Sequence, residues 1–116
     1  MHEEARERLG RLRVDAAARV AALAEALAVL TDARSSSNDD DEHDPEGVPL
    51  SAEWSRLQGL TEQASGELTQ VEDALARLDA GTYGVCASCR NPIPAARLEV
   101  RPFATHCVAC AEKLGR

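Results

Sequence analysis

Aromatic side chains are nearly missing: in 116 residues only Trp54, Tyr83 and Phe103 supply them. A thick globular core or a sheet of large β-formers would need many more, so long, thin helices are expected from a chain whose apolar content is mainly Ala and Leu. No run approaches the roughly 18 consecutive apolar residues of a membrane span. The start, Met1-His2-Glu3-Glu4, has the wrong charge for a secretory or organellar leader. The chain is therefore expected to be cytoplasmic, with no membrane partner. Also lacking are a Gly-rich phosphate loop, a nucleophile beside a convincing base and an open metal position, which argues for a binding protein and against an enzyme. Without an oxidising-compartment signal, the four cysteines point to metal ligands or redox thiols before a disulfide framework.

The net charge of -7 is unevenly spread. Residues 1–34 are balanced, residues 35–80 carry a net -10, and residues 81–116 carry +3. Nucleic-acid affinity comes mostly from counterion release by clustered Lys and Arg, so autonomous, sequence-specific DNA binding is not expected. A basic or metal-bearing partner suits the acidic middle better.

Leu9, Leu12, Ala16, Val20, Leu23, Leu27 and Leu30 recur at steps of three or four, which makes one helical stripe. Trp54, Leu57, Thr61, Ala64, Leu68, Val71, Leu75 and Leu78 repeat three-four over more than three heptads. Two helices of about 30 residues, each about 45 Å long, joined by a short polar connection, should return antiparallel. Pairing positions whose numbers add to about 84 sets small side chains against large ones, as packing requires. Ser51 is a candidate N-cap for the second helix. The expected fold class is mostly α: a long antiparallel helical hairpin, or coiled coil, over residues 1–80, with a small C-terminal four-cysteine zinc-finger module over 81–116.

The acidic tip loop is expected at residues 34–49, where periodicity stops and Pro45 and Pro49 exclude helix interior. It carries Asp39, Asp40, Asp41, Glu42, Asp44 and Glu46. Such a segment reads either as an acidic solubilising linker or as a carboxylate cluster held out by a stiff stalk. In the second reading the carboxylates would approach a partner's Mg²⁺, for which they are natural hard ligands, or its Arg and Lys groups.

Cys86-Ala-Ser-Cys89 and Cys107-Val-Ala-Cys110 form C-x2-C-x17-C-x2-C. Two such turns close a tetrahedral four-sulfur site that leaves no position for water or substrate, so one Zn²⁺ there would be structural. Gly81, Gly84, Pro92 and Pro94 supply turn conformations around the first pair. Tyr83, Ile93, Leu98, Val100 and Phe103 are too few to fold the module alone, so metal binding should supply much of its stability. A thiol switch layered on zinc and a pair of disulfides are the competing readings.

Leu78-Asp79-Ala80-Gly81-Thr82-Tyr83-Gly84-Val85-Cys86-x-x-Cys89, Ile93-Pro94-x-x-Arg97-Leu98, Pro102, Ala104 and Cys107-x-x-Cys110 closely resemble the signature of the DksA/TraR family of zinc-finger transcription factors. The resemblance implies a coiled coil that enters the secondary channel of bacterial RNA polymerase and brings acidic tip residues near the catalytic Mg²⁺, without reading promoter sequence. It implies zinc ligation by Cys86, Cys89, Cys107 and Cys110, and Asp41-x-x-Asp44 resembles the acidic tip pair. Asp44 is followed by Pro45-Glu46-Gly47, where the best-known members have an alanine near the start of the second helix. The expected function is a monomeric transcription regulator bound to RNA polymerase. A zinc-dependent adaptor for another protein, a DNA-binding zinc finger and a thiol redox sensor are the rivals.

Overall fold

The computed structural model of the chain describes the backbone of residues 2–40 and 47–115 and the side chains of 2–33 and 50–115. Four helices follow one another: α1 (His2–Asp40), α2 (Gly47–Ala80), α3 (Ala95–Val100) and α4 (Val108–Lys113). Among the described residues there is no strand; Val85 and Pro92 form an isolated antiparallel bridge. The mostly α expectation holds. No helix among the described residues is long and apolar enough to cross a membrane.

Both long helices outrun the loop expected at 34–49. α1 continues through Ser35–Asp40 and α2 already begins at Gly47. Extending an existing helix needs one residue fixed per hydrogen bond, which outweighs the modest propensity cost of Ser, Asn and Asp. Pro49 lies in the first turn of α2, where a missing N–H deprives the helix of no bond. Ser51 is consequently inside α2 and is not its N-cap.

The chain divides into two compact units, Met1–Arg13 with Thr69–Arg116, and Val14–Leu68. In the first, called the cysteine unit here, the helix segments run antiparallel, with Arg6 bonded to Asp79 at 2.9 Å and Arg13 near Glu72 at 3.7 Å. Ala5 and Leu9 of α1 meet Ala74 and Leu78 of α2, and Tyr83, Cys86, Ile93, Leu98 and Cys110 complete one core. Leu9 and Cys86 are fully buried. α2 stops at Ala80 because Gly81 takes φ 79°, while the N–H of Thr82 reaches Arg77 O at 2.8 Å and that of Gly81 reaches Leu78 O at 3.2 Å. This is a Schellman termination, which glycine enters without a Cβ penalty.

The second, the seam unit, has a thinner interior. Ala16, Leu57 and Ala64 are buried, while Val20, Leu23, Leu27, Leu30, Trp54, Thr61 and Leu68 are half-buried, which is the stripe expected from spacing. Thr61 is tolerated on it because its hydroxyl donates to Leu57 O at 2.7 Å. Arg19 pairs with Glu67 at 3.0 Å. This pair and the two in the cysteine unit match residues whose numbers add to 85 or 86, close to the expected register. All six side chains are largely exposed, so each pair contributes less than about 1 kcal/mol and serves register more than stability.

Candidate metal centre

The four sulfurs are presented by two tight turns. In the first, Arg90 N–H closes on Cys86 O at 3.0 Å and Cys86 N–H on Asn91 O at 2.8 Å. Arg90 takes φ 67°, a left-handed conformation that lets the chain reverse directly after Cys89. Gly84, at φ 79°, accepts the N–H of Ile93 at 2.7 Å, and a Cβ there would stand 3.4 Å from Leu98 Cδ1. In the second turn Cys107 is extended and opens α4, which carries Cys110 in its first turn. The two turns are tied by Ala87 N–H donating to Thr105 O at 2.9 Å. Tyr83 donates its hydroxyl to Pro102 O at 2.9 Å, and Arg97 Nε donates to His106 O at 2.9 Å. These bonds hold the segment between the cysteine pairs against the core.

The sulfur atoms of Cys86, Cys89, Cys107 and Cys110 all lie within 4.8 Å of one another. A regular tetrahedron with Zn–S near 2.3 Å has edges of about 3.8 Å; Cys89 Sγ and Cys107 Sγ stand 3.9 Å apart. The electrostatics fit a dication too. Backbone N–H groups, that of Cys89 foremost and those of Cys107 and Ser88 after it, hold the Cys86 thiol well below its ordinary range, at about 5, against the opposing effect of burial. Cys110 is pushed up to about 12, first by hydrogen bonding to Cys107 and Cys86, then by burial. One sulfur thus arrives as a thiolate while another holds its proton against crowding, which is the conflict a divalent cation removes. The residues fit one structural zinc with all four positions taken by sulfur.

His106 does not compete for the site; its Nδ1 lies 2.9 Å from Thr105 Oγ1. Tyr83, Ile93 and Leu98 are buried as small-core residues should be, and Phe103 packs against them half-buried. Val100 departs from the expected apolar content of the core: at the end of α3 it is 80% exposed. Sequence reasoning overlooked Ala5 and Ala74, both buried in the core. Their only signal is spacing, Ala5 four residues before Leu9 and Ala74 four before Leu78, and alanine carries it weakly. Of the acidic residues singled out, Asp39 and Asp40 belong to the last turn of α1, and Asp41, Glu42, Asp44 and Glu46 lie outside the described residues.

Residues 81–114 match the model of the prokaryotic dksA/traR C4-type zinc finger. An uncharacterised protein of Aquifex aeolicus is 35% identical over 60 residues, 52% of this chain and 41% of that protein. The RNA polymerase-binding transcription factor DksA of Caulobacter vibrioides is 41% identical over 46 residues, 40% of this chain and 32% of that one. The matches therefore span less than half the length of these relatives. Among solved structures, transcription factor DksA2 from Pseudomonas aeruginosa superposes with a TM-score of 0.83 at 25% identity, covering 98% of this chain and 82% of that one. The chain carries a zinc finger of the DksA/TraR type on a DksA-like fold, as the resemblance in its motifs implied.

Proposed function

We propose that the chain is a transcription regulator that binds bacterial RNA polymerase, with its acidic segment directed through the secondary channel toward the active centre. The observation that carries this reading is the DksA/TraR-type zinc finger at the end of two long helices in a fold shared with DksA2 over nearly the whole chain. In this reading the four-sulfur site is closed to substrate and works as a clamp that shapes the cysteine unit. The acidic segment does the regulatory work, chiefly through Asp41 and Asp44, with Asp39, Asp40, Glu42 and Glu46 adding charge. The chain itself catalyses nothing.

The segment concentrates Asp39, Asp40, Asp41, Glu42, Asp44 and Glu46 within a few residues of one another. Concentrated negative potential suits approach to a bound Mg²⁺ or to cationic side chains.

The test is a transcription assay with the Asp41→Asn/Asp44→Asn variant beside the unaltered protein, both zinc-loaded and both measured for polymerase binding. The expected result is retained binding with the effect on transcription lost. An unchanged effect on transcription would refute the role given to the acidic segment.

A further inference from the structure

The first turns of α1, Tyr83–Gly84 and the stretch 92–99 enclose a cavity of about 360 Å³ within the cysteine unit, and no cysteine lines it. The volume falls in the range of small-ligand sites. Tyr83, Ile93 and Leu98, all buried members of the core, form its apolar side. Its ionisable groups are His2, Glu4 and Arg8 of α1 and Glu99 of α3. Arg8 is half-buried, and its Nε is shut off from water with no hydrogen-bond acceptor. Buried N–H groups are nearly always paired, because losing water without gaining an acceptor is costly. Glu4, one turn earlier on α1, has the spacing at which a carboxylate and a guanidinium on a helix usually meet, yet no ion pair joins it to Arg8. Glu99 is likewise without an ion-pair partner among the described residues. A guanidinium lacking an acceptor and two carboxylates lacking a cation thus share one cavity with an apolar side.

We propose that this cavity binds a free α-amino acid with an aliphatic or aromatic side chain. The carboxylate of the ligand accepts from Arg8, whose Nε and one terminal nitrogen form a planar fork that fits two carboxylate oxygens. A small turn of the guanidinium toward the cavity brings Nε into reach. The ammonium group pairs with Glu4 and Glu99, and the side chain covers Tyr83, Ile93 and Leu98. The charges select this class of ligand. A simple anion meets two carboxylates for one guanidinium, and a simple cation leaves Arg8 without an acceptor; a zwitterion satisfies both signs. An α-amino acid also carries its two charges close together, as do Glu4 and Arg8 on adjacent turns, whereas a polypeptide has its amine and carboxylate at opposite ends. Binding of this kind favours the folded cysteine unit by mass action. The inference is independent of the polymerase reading.

The experiment titrates the zinc-loaded full chain with L-leucine or L-phenylalanine and follows the backbone amide NMR signals. The expected result is saturable shifts concentrated at residues 2–8, 83–84 and 92–99. Glycine, leucine methyl ester and N-acetyl-leucine lack in turn the apolar side chain, the carboxylate charge and the ammonium group. Each should bind roughly tenfold more weakly than leucine. Arg8→Gln and Glu99→Gln should weaken leucine to a similar degree with the rest of the spectrum unchanged; Glu99 is exposed, so its substitution leaves the core intact. No saturable shift with either amino acid would overturn the proposal, as would shifts that spare these residues or leucine binding indifferent to both substitutions. N-acetyl-leucine binding as well as leucine would also overturn it, and would assign the cavity to the carboxyl end of a peptide.

Discussion

The cysteine unit and the seam unit use the same two helices and hold them by different means. In the cysteine unit nine buried residues form one core, and two of them, Cys86 and Cys110, belong to the four-sulfur site. Among the described residues of the seam unit the buried ones are Ala16, Leu57 and Ala64, two of them alanines. A seam that buries so little depends on helix propensity and on regular small-to-large packing; a metal-bearing core depends on a few residues that cannot be exchanged. The lesson is that sensitivity to substitution and to metal should be concentrated in one unit.

Removing zinc should give the largest effect. Structural zinc contributes on the order of 10 kcal/mol in small metal-dependent modules, so chelation should unfold the cysteine unit. Trp54 belongs to the seam unit and Tyr83 to the cysteine unit, which gives each its own reporter. Chelation should abolish the dispersed amide signals around Tyr83 while Trp54 emission stays near its starting wavelength; a coincident shift of Trp54 would show that the units fail together. Acid should act on the same site. With its folded value at about 5, below the ordinary 9.0, Cys86 contributes stability above the ordinary value that is lost as pH falls toward 5. Cys110 has the opposite sense in the metal-free unit, favouring the folded state below 9.0 and losing that contribution as pH rises toward 12. Zinc displaces the Cys110 proton, and protons compete with zinc for all four sulfurs, so zinc should be released on acidification.

A matched pair of truncations comes next. Leu78 is 6% exposed and Leu57 7%, so the two substitutions begin from nearly equal burial. Leu78→Ala should cost about 3–5 kcal/mol, because core and metal site resist collapse around the cavity, and Leu57→Ala about 2 kcal/mol, because two helices can close on a small gap. Denaturant melts of both zinc-loaded variants decide this, and equal losses would remove the distinction between the units. Tyr83→Phe isolates one bond of the cysteine unit. It deletes the donor to Pro102 O and should cost about 1 kcal/mol, read as a lower melting temperature. Gly59→Ala and Gly66→Ala have the opposite sign. A Cβ at either position meets nothing within 4 Å, so each should stabilise the chain by up to about 1 kcal/mol. A loss on either substitution would mean that the seam unit is less forgiving than its burial indicates.

Spacing alone identified most of the packed helix positions, since Leu9, Ala16, Leu57, Ala64, Val71 and Leu78 all carry the three-four rhythm and all are buried. The cysteine spacing announced the four-sulfur site with equal directness, because ligation needs those atoms at those intervals. Helix ends were harder. Ser35–Asp40 have weak propensity and no apolar period, yet α1 runs through them, and the favourable energy of extending a helix leaves no local mark. The participation of Ala5 in the core was faint for another reason: its partners Tyr83, Ile93 and Leu98 are far away in sequence and meet it only through the fold. The unequal burial of the four cysteines was invisible too, because exposure is a property of the packed unit and the motif is symmetric.

The most direct test of the central claim is binding of the zinc-loaded chain to bacterial core RNA polymerase, with and without a Gre-type cleavage factor as competitor. The account predicts saturable binding that the competitor displaces and that is lost when zinc is chelated. Absence of binding, or binding indifferent to the competitor, would contradict it.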